Sequence, residues 1–235
     1  MSWTYFRAVQ PFNLSIMISS HTIPVTKTAH FYTIGTPGKQ VKYCWIACHG
    51  YGQLAKFFIR KFDVLAAENT FILAPEGLSR FYTEGLSGKV GASWMTKEDR
   101  LTEIADYANY LSILYDQFVP QLAEDVRIIL FGFSQGSATQ LRWMMHTFPR
   151  FDALVLWAGL VPEDLDYRPH AEYFANRDLH FVYGTKDPFI TPERLSGHER
   201  LLAEQRLDFQ VHTFDGAHTV DRETLKLLAK KIYTK

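Results

Sequence analysis

Neither charge is in excess in this chain: 25 Lys and Arg balance 25 Asp and Glu, for a formal net charge of zero. Without a basic surplus there is little to grip a phosphate backbone, which argues against nucleic acid as a partner. Nor is there a polybasic block for an anionic membrane surface. No apolar run reaches the ~20 residues of a transmembrane helix, so no integral membrane segment is expected. The opening MSWTYFRAVQ lacks a basic start followed by a continuous apolar stretch, and does not read as a secretory signal. Cysteine is scarce, with Cys44 and Cys48 alone. Both lie in one apparent strand, where pairing is unfavourable. Reduced thiols and a cytoplasmic location are therefore expected. Asn13-Leu14-Ser15 fits a glycosylation sequon, but without a secretion signal it carries little weight. Flexible linkers, internal repeats and low-complexity tracts are also missing. Residues 1–235 thus read as one domain, with 1–20 as an additional N-terminal segment of no clear period.

What is present is ordinary for a globular protein: 235 residues, 47% hydrophobic and 21% charged. A chain this long should bury roughly 70–75% of its unfolded surface and needs no staples. Residues 25–34 and 40–48 read as strands joined in a hairpin by a turn around Thr36-Pro37-Gly38-Lys39. Short apolar or β-branched runs follow at 70–74, 126–133, 153–158, 179–183 and 209–214. Several are apolar at every position, as strands buried on both faces require.

Helical spacing fills the gaps. Leu101, Ile104, Ala105, Ala108, Leu111 and Tyr115 make one stripe behind a possible Asp99 cap. Leu54, Phe57, Phe58, Phe62, Leu65 and Ala66 make a second. Leu225, Leu228, Ala229 and Ile232 mark a last helix behind Asp221, and further helices are expected over 136–146 and 192–206. Alternating strands and helices after an N-terminal antiparallel hairpin imply an α/β fold, a mostly parallel sheet with helices on both faces. Such sheets bind ligands beyond the carboxyl ends of their strands.

One of those ends carries Gly132-Phe133-Ser134-Gln135-Gly136, after the run 126–131 and before a helix. This is G-x-S-x-G in its strand–turn–helix setting, the arrangement that exposes a serine on a strained turn. The helix that follows aims its first N–H groups at the same point, favouring developing negative charge. Read as chemistry, Ser134 is a nucleophile; read as architecture, the segment is a Gly/Ser turn. Ser137 is the neighbouring alternative, inside the helix.

A serine hydroxyl needs a base, and the base an orienting acid. Asp187 follows the strand at 180–183, and His218 follows the strand at 209–214. Each interval leaves room for a strand and a helix, so both loops return to one sheet edge. Asp215 is a substitute orienter. Asp187 could also be a turn former before Pro188, and His218 a helix cap. His212 lies mid-strand and reads as structural. An oxyanion needs fixed donors: the N–H of Gln135, and one from His49-Gly50-Tyr51-Gly52 after the strand at 44–48, with Tyr51 preferred and Gly52 second. The long segment 76–98 reads as irregular and able to wall the site, with Phe81, Tyr82 and Trp94 as candidates for an apolar acyl or aromatic subsite. The connection at 159–178 is a second wall, too short for a lid domain. Cys44, Cys48 and His49 are awkwardly placed for a tetrahedral metal site. Gly85–Val90 lacks the spacing and the Ser/Thr of a phosphate loop. No metal and no cofactor are expected.

These motifs together resemble the α/β-hydrolase superfamily, and within it the phospholipase/carboxylesterase family of bacterial carboxylesterases and acyl-protein thioesterases. His49-Gly50-Tyr51-Gly52, Gly132–Gly136, Gly184-Thr185-Lys186-Asp187 and Gly216-Ala217-His218 carry the likeness, with Gln135 the most family-specific residue and Trp94 in a similar loop. The resemblance covers about residues 25–235. It implies a Ser134–Asp187–His218 triad hydrolysing carboxylic esters of short to medium acyl chains, or lysophospholipid-type esters, through an acyl-enzyme. Tyr51 departs from the smaller apolar residue many relatives carry there. The alternatives are a thioesterase or small-amide hydrolase with the same triad, and a non-catalytic binding protein on the same scaffold. The expected partner is a small-molecule ester; a homodimer formed through apolar surface at the mouth stays open.

Overall fold

The computed structural model describes residues 18–234. Asn13-Leu14-Ser15 and most of the additional N-terminal segment lie outside them. The chain order is β1 (Phe31–Ile34), β2 (Tyr43–Cys48), α1 (Ala55–Phe58), a 3₁₀ segment (Ile59–Leu65), β3 (Thr70–Pro75), β4 (Ser79–Glu84), β5 (Ser87–Ser93) and α2 (Arg100–Phe118). After these come β6 (Arg127–Phe133), α3 (Gln135–Thr147), β7 (Ala153–Trp157), α4 (Ala171–Phe174), β8 (Asp178–Gly184), α5 (Pro192–Gln205), β9 (Gln210–Phe214) and α6 (Arg222–Tyr233).

Seven strands form one sheet in the order β1-β3-β2-β6-β7-β8-β9. All its pairings are parallel except that of β1 with β3. The antiparallel start is as expected, but β1 and β2 are not hairpin partners. β3 lies between them, and burial explains the order. β2 and β3 are almost wholly buried and need neighbours on both sides, whereas β1 alternates exposed with half-buried residues and suits an edge. The strand expected over 25–34 is correspondingly short.

Alternation along the strands divides the core into two layers. On one face Ile128 and Leu130 of β6 meet Tyr107, Leu111 and Leu114 of α2 and Leu141 and Met144 of α3. On the other, Ile129, Phe131 and Phe133 meet Phe58 and Phe62, and Leu225, Leu228 and Ile232 of α6. α6 begins as expected, with Asp221 accepting the Thr224 N–H at 2.8 Å.

Three expectations change. Asp99 precedes α2 in a left-handed conformation and does not cap it; its carboxylate accepts the Thr102 hydroxyl instead. The stripe at 54–66 is one α-turn and a 3₁₀ segment rather than a single helix, and Phe57 points out of the core. Residues 76–98 are not irregular: β4 and β5 pair as an antiparallel hairpin turning at Gly85. The hairpin is joined to the loop after β2 by a bridge between Gln53 and Ala92.

Candidate active site

β6 delivers Ser134 to the carboxyl edge of the sheet. Its backbone sits at φ 53°, ψ −116°, a region that residues bearing a Cβ seldom occupy. The flanking glycines make the turn sterically feasible. A Cβ on Gly132 would lie 2.4 Å from the Gly136 carbonyl oxygen, and one on Gly136 2.2 Å from that of Cys48. The Ser134 N–H donates to the Trp157 carbonyl at 2.8 Å. Gln135 opens α3, so its N–H belongs to the first turn that a helix leaves without internal acceptors. Ser137 is fully buried and its hydroxyl donates to the Gly132 carbonyl, which removes it as an alternative nucleophile.

Asp187 and His218 follow the adjacent parallel strands β8 and β9. Their loops are stitched together. The Thr185 N–H donates to Phe214 O and the Lys186 N–H to Gly216 O, both at 2.9 Å. A Cβ on Gly184 would meet Gly216 O at 2.2 Å, so only glycine permits this approach. The Asp187 carboxylate is buried. Its Oδ1 accepts the Phe189 N–H at 2.9 Å and its Oδ2 the His218 Nδ1–H at 2.7 Å. A carboxylate can only accept, so Nδ1 holds the proton and Nε2 is left as the basic nitrogen. Asp215 pairs instead with Lys186 at 2.6 Å on the surface.

The His218 ring packs between Phe133, at 4.9 Å, and Phe189, at 4.7 Å. Phe133 immediately precedes Ser134, so this contact sets the imidazole beside the elbow. Trp157 strengthens the link: its carbonyl holds the Ser134 N–H, and its indole donates to Thr219 O at 2.8 Å. Among the described residues no direct hydrogen bond joins the Ser134 hydroxyl to His218. Such contacts commonly tighten only around substrate. Trp157 was not singled out by sequence, where it is one more apolar residue in a buried strand.

The loop after β2 closes the opposite side. A Cβ on Gly50 would lie 3.3 Å from Ser134 Cβ, so the loop runs against the nucleophile. The Gly50 N–H donates to Gln53 Oε1 at 2.9 Å. The Gly52 N–H donates to Ala92 O at 2.9 Å, which removes it as an oxyanion donor. The Tyr51 N–H has no acceptor among the described residues. Glu76 holds this loop from below, its carboxylate taking the Ala55 N–H at 3.0 Å and Arg80 at 2.5 Å. His49 is buried; its Nε2 accepts the Gly77 N–H at 2.9 Å while Nδ1 contacts Gly50 O at 2.7 Å. Burial lowers its pKa, so it is neutral and structural.

Gln135 has a second role that the motif did not reveal. Its side-chain oxygen accepts the Trp94 N–H at 3.1 Å, and its amide donates to Met95 O at 2.7 Å. It thereby pins the end of β5 to the elbow. Trp94 itself is buried, stacks near His49, and donates from its indole to His49 O at 2.9 Å. It is a scaffold residue and not a subsite. Phe81 stacks on exposed Tyr51 at 5.0 Å, and Tyr82, the next residue of β4, is exposed. A cavity of about 650 Å³ opens next to these loops. It is bounded by Gly52 and Gln53, by Phe57 and Phe58, and by Thr219 and Val220 just after His218. From the hairpin it takes Thr83, Lys89 and Val90 rather than Phe81 or Tyr82.

Among the described residues no group of His, Cys, Asp and Glu could hold a metal ion. No described helix is long and apolar enough to cross a membrane. Residues 30–235 match the family model described as Phospholipase/Carboxylesterase. The fold is similar to that of Zea mays acyl-protein thioesterase 2, with a TM-score of 0.68 at 16% identity over 88% of this chain and 99% of that one. It is similar also to the Bacillus cereus carboxylesterase, with a TM-score of 0.62 at 16% identity over 87% and 94%. At these identities the likeness is one of fold. None of the curated proteins matches this sequence.

Proposed function

Since the chain belongs to the phospholipase/carboxylesterase family of α/β hydrolases, we propose that it is a serine hydrolase cleaving carboxylic esters through an acyl-enzyme, with Ser134 as nucleophile, His218 as base and Asp187 as orienting acid. One observation carries the reading: the hydrogen bond from half-buried His218 to the buried Asp187 carboxylate, packed through Phe133 against a serine held in a strained turn.

In this mechanism His218 Nε2 takes the Ser134 hydroxyl proton as Oγ bonds to the ester carbonyl carbon. The carbonyl electron pair moves to oxygen, and the N–H groups of Tyr51 and Gln135 stabilise the oxyanion. The C–O bond to the alcohol then breaks, and the alcohol leaves with the proton carried by His218. Water repeats the sequence in reverse, giving up a proton to His218 and releasing the carboxylic acid and Ser134. Asp187 keeps its charge throughout and stabilises the imidazolium. The scheme needs no metal or cofactor. A small-molecule ester is the partner it calls for. A cytoplasmic location belongs to the same proposal, in keeping with the two buried thiols of Cys44 and Cys48.

Hydrolysis of p-nitrophenyl esters from acetate to palmitate, by the wild type and Ser134→Ala in parallel, tests the proposal. The expected result is hydrolysis that falls ~10³-fold or more in the variant. Equal rates in both proteins would refute it. A matched oxygen ester, thioester and anilide then rank the leaving groups.

A further inference from the structure

The cavity between the loops after β2 and β9 combines an apolar wall with a basic rim. Leu54, Phe57, Phe58 and Val220 line one part of it, and Lys56, Lys61 and Lys89 border it from both sides. Lys56 and Lys61 come from α1 and the 3₁₀ segment, and Lys89 from β5 across the gap. Among the described residues no acidic one lines the cavity. Among the described residues none of the three lysines makes an ion pair. Asp63 pairs with Arg222 at 2.5 Å, and Asp221 accepts the N–H and hydroxyl of Thr224 while also feeling the charge of Lys61, which leaves Lys56 and Lys89 without a carboxylate partner among the described residues. Phe57 is half exposed, and Lys56 Nζ stands 4.8 Å from its ring centre. In a chain whose charges cancel overall, three lysines around one apolar cavity with no acidic side chain among its described lining are a local feature with chemical meaning. They raise the local concentration of anions and favour a ligand that is apolar in its body and negative at its end.

We propose that this cavity receives one arm of the substrate, an apolar chain next to the ester ending in a carboxylate, sulfonate or phosphate held by Lys56, Lys61 and Lys89. The inference rests on the serine ester-hydrolase reading and gives it a substrate class. The position supports it. The cavity runs from the loop that holds the Tyr51 N–H to Thr219 and Val220, directly after His218, so an ester at Ser134 would extend an arm into it. Its volume falls within the ~300–1,000 Å³ that accommodates a medium-sized organic ligand.

Four substrates and one ligand test this. The acyl arm compares p-nitrophenyl hexanoate with the p-nitrophenyl monoester of hexanedioic acid. The alcohol arm compares phenyl hexanoate with 4-(hexanoyloxy)benzenesulfonate. The readout is the kcat/KM ratio of anionic to neutral substrate within each pair. In K56Q/K61Q/K89Q the ratio should fall in one arm, by about two- to threefold per lysine and so about tenfold in all. The arm that responds identifies which half of the ester enters the cavity. K56R/K61R/K89R should keep the ratio, and added salt should lower it in the wild type. An unchanged ratio in both arms, with hydrolysis still dependent on Ser134, overturns this inference and leaves the hydrolase reading standing. Binding of monooctyl phosphate, measured by titration calorimetry, is independent of turnover. Should no ester be hydrolysed, the hydrolase reading fails, and lysine-dependent binding of that probe would uphold the anion site. Absent or lysine-independent binding would overturn it.

Discussion

Replacing Ser134 with glycine and with alanine should separate the strain of the elbow from its chemistry. Neither variant has a hydroxyl, so neither should hydrolyse esters, and hydroxyl contacts cancel in the comparison. What differs is the Cβ. At φ 53°, ψ −116° it is held in a region that costs about 1–3 kcal/mol for a residue other than glycine. Alanine keeps that cost. Glycine relieves it but raises the entropy of the unfolded chain, a penalty of about 0.4–1 kcal/mol. The difference leaves Ser134→Gly about 1–2 kcal/mol more stable than Ser134→Ala. In a chain of this size each kcal/mol moves Tm by about 2–4 °C, so calorimetry should place the glycine variant about 3–6 °C higher. A glycine variant melting at or below the alanine variant would refute the claim that the turn is strained and held by its surroundings.

The other predictions concern the groups around that turn. Trp157→Phe keeps an aromatic ring in the core but loses the indole bond to Thr219 O, so kcat should drop about tenfold with little change in KM; an unaltered kcat would remove Trp157 as a positioning residue. In Gly136→Ala the new methyl would lie 2.2 Å from Cys48 O, with backbone on both sides of the clash, and soluble expression should fall sharply. Normal yield and Tm would show that α3 can shift away from β2. His198 accepts the Val161 N–H at 3.2 Å and is buried, which lowers its pKa from 6.5 to about 4. Its unfolded form therefore binds more protons, and folded stability is lost as pH falls through the window from 6.5 to 4. The slope from this group approaches about 1.4 kcal/mol per pH unit, and urea titrations should find it shallower in His198→Gln. Identical slopes would assign the acid sensitivity elsewhere.

The parts of the site that sequence made legible are those where geometry admits few residues. Gly132 and Gly136 can be recognised because any larger residue would strike backbone. Asp187 and His218 can be recognised because strand ends on one edge are where loops converge. What stayed illegible depended on pairing and packing. Apolar content marks β1, β2 and β3 as strands but does not say that β3 inserts between the others. The β4–β5 hairpin was hidden because its residues are largely exposed and lack an apolar stripe, although Gly85 at its turn was a usable cue. Trp94 invited a subsite role from its type alone, and burial assigns it to the scaffold. Gly52 looked like a second oxyanion donor until its N–H was seen to pair with Ala92. The basic cavity joins lysines distant in sequence, and only the hairpin's approach to α1 brings Lys89 near Lys56 and Lys61.

The central claim is that Ser134 is an activated nucleophile, and a fluorophosphonate probe tests it most directly. After labelling of the native protein, peptide mass spectrometry should find one adduct, on Ser134, that fades in His218→Ala and disappears on denaturation before labelling. An unlabelled protein, or an adduct on another serine that persists in Ser134→Ala, would contradict the account.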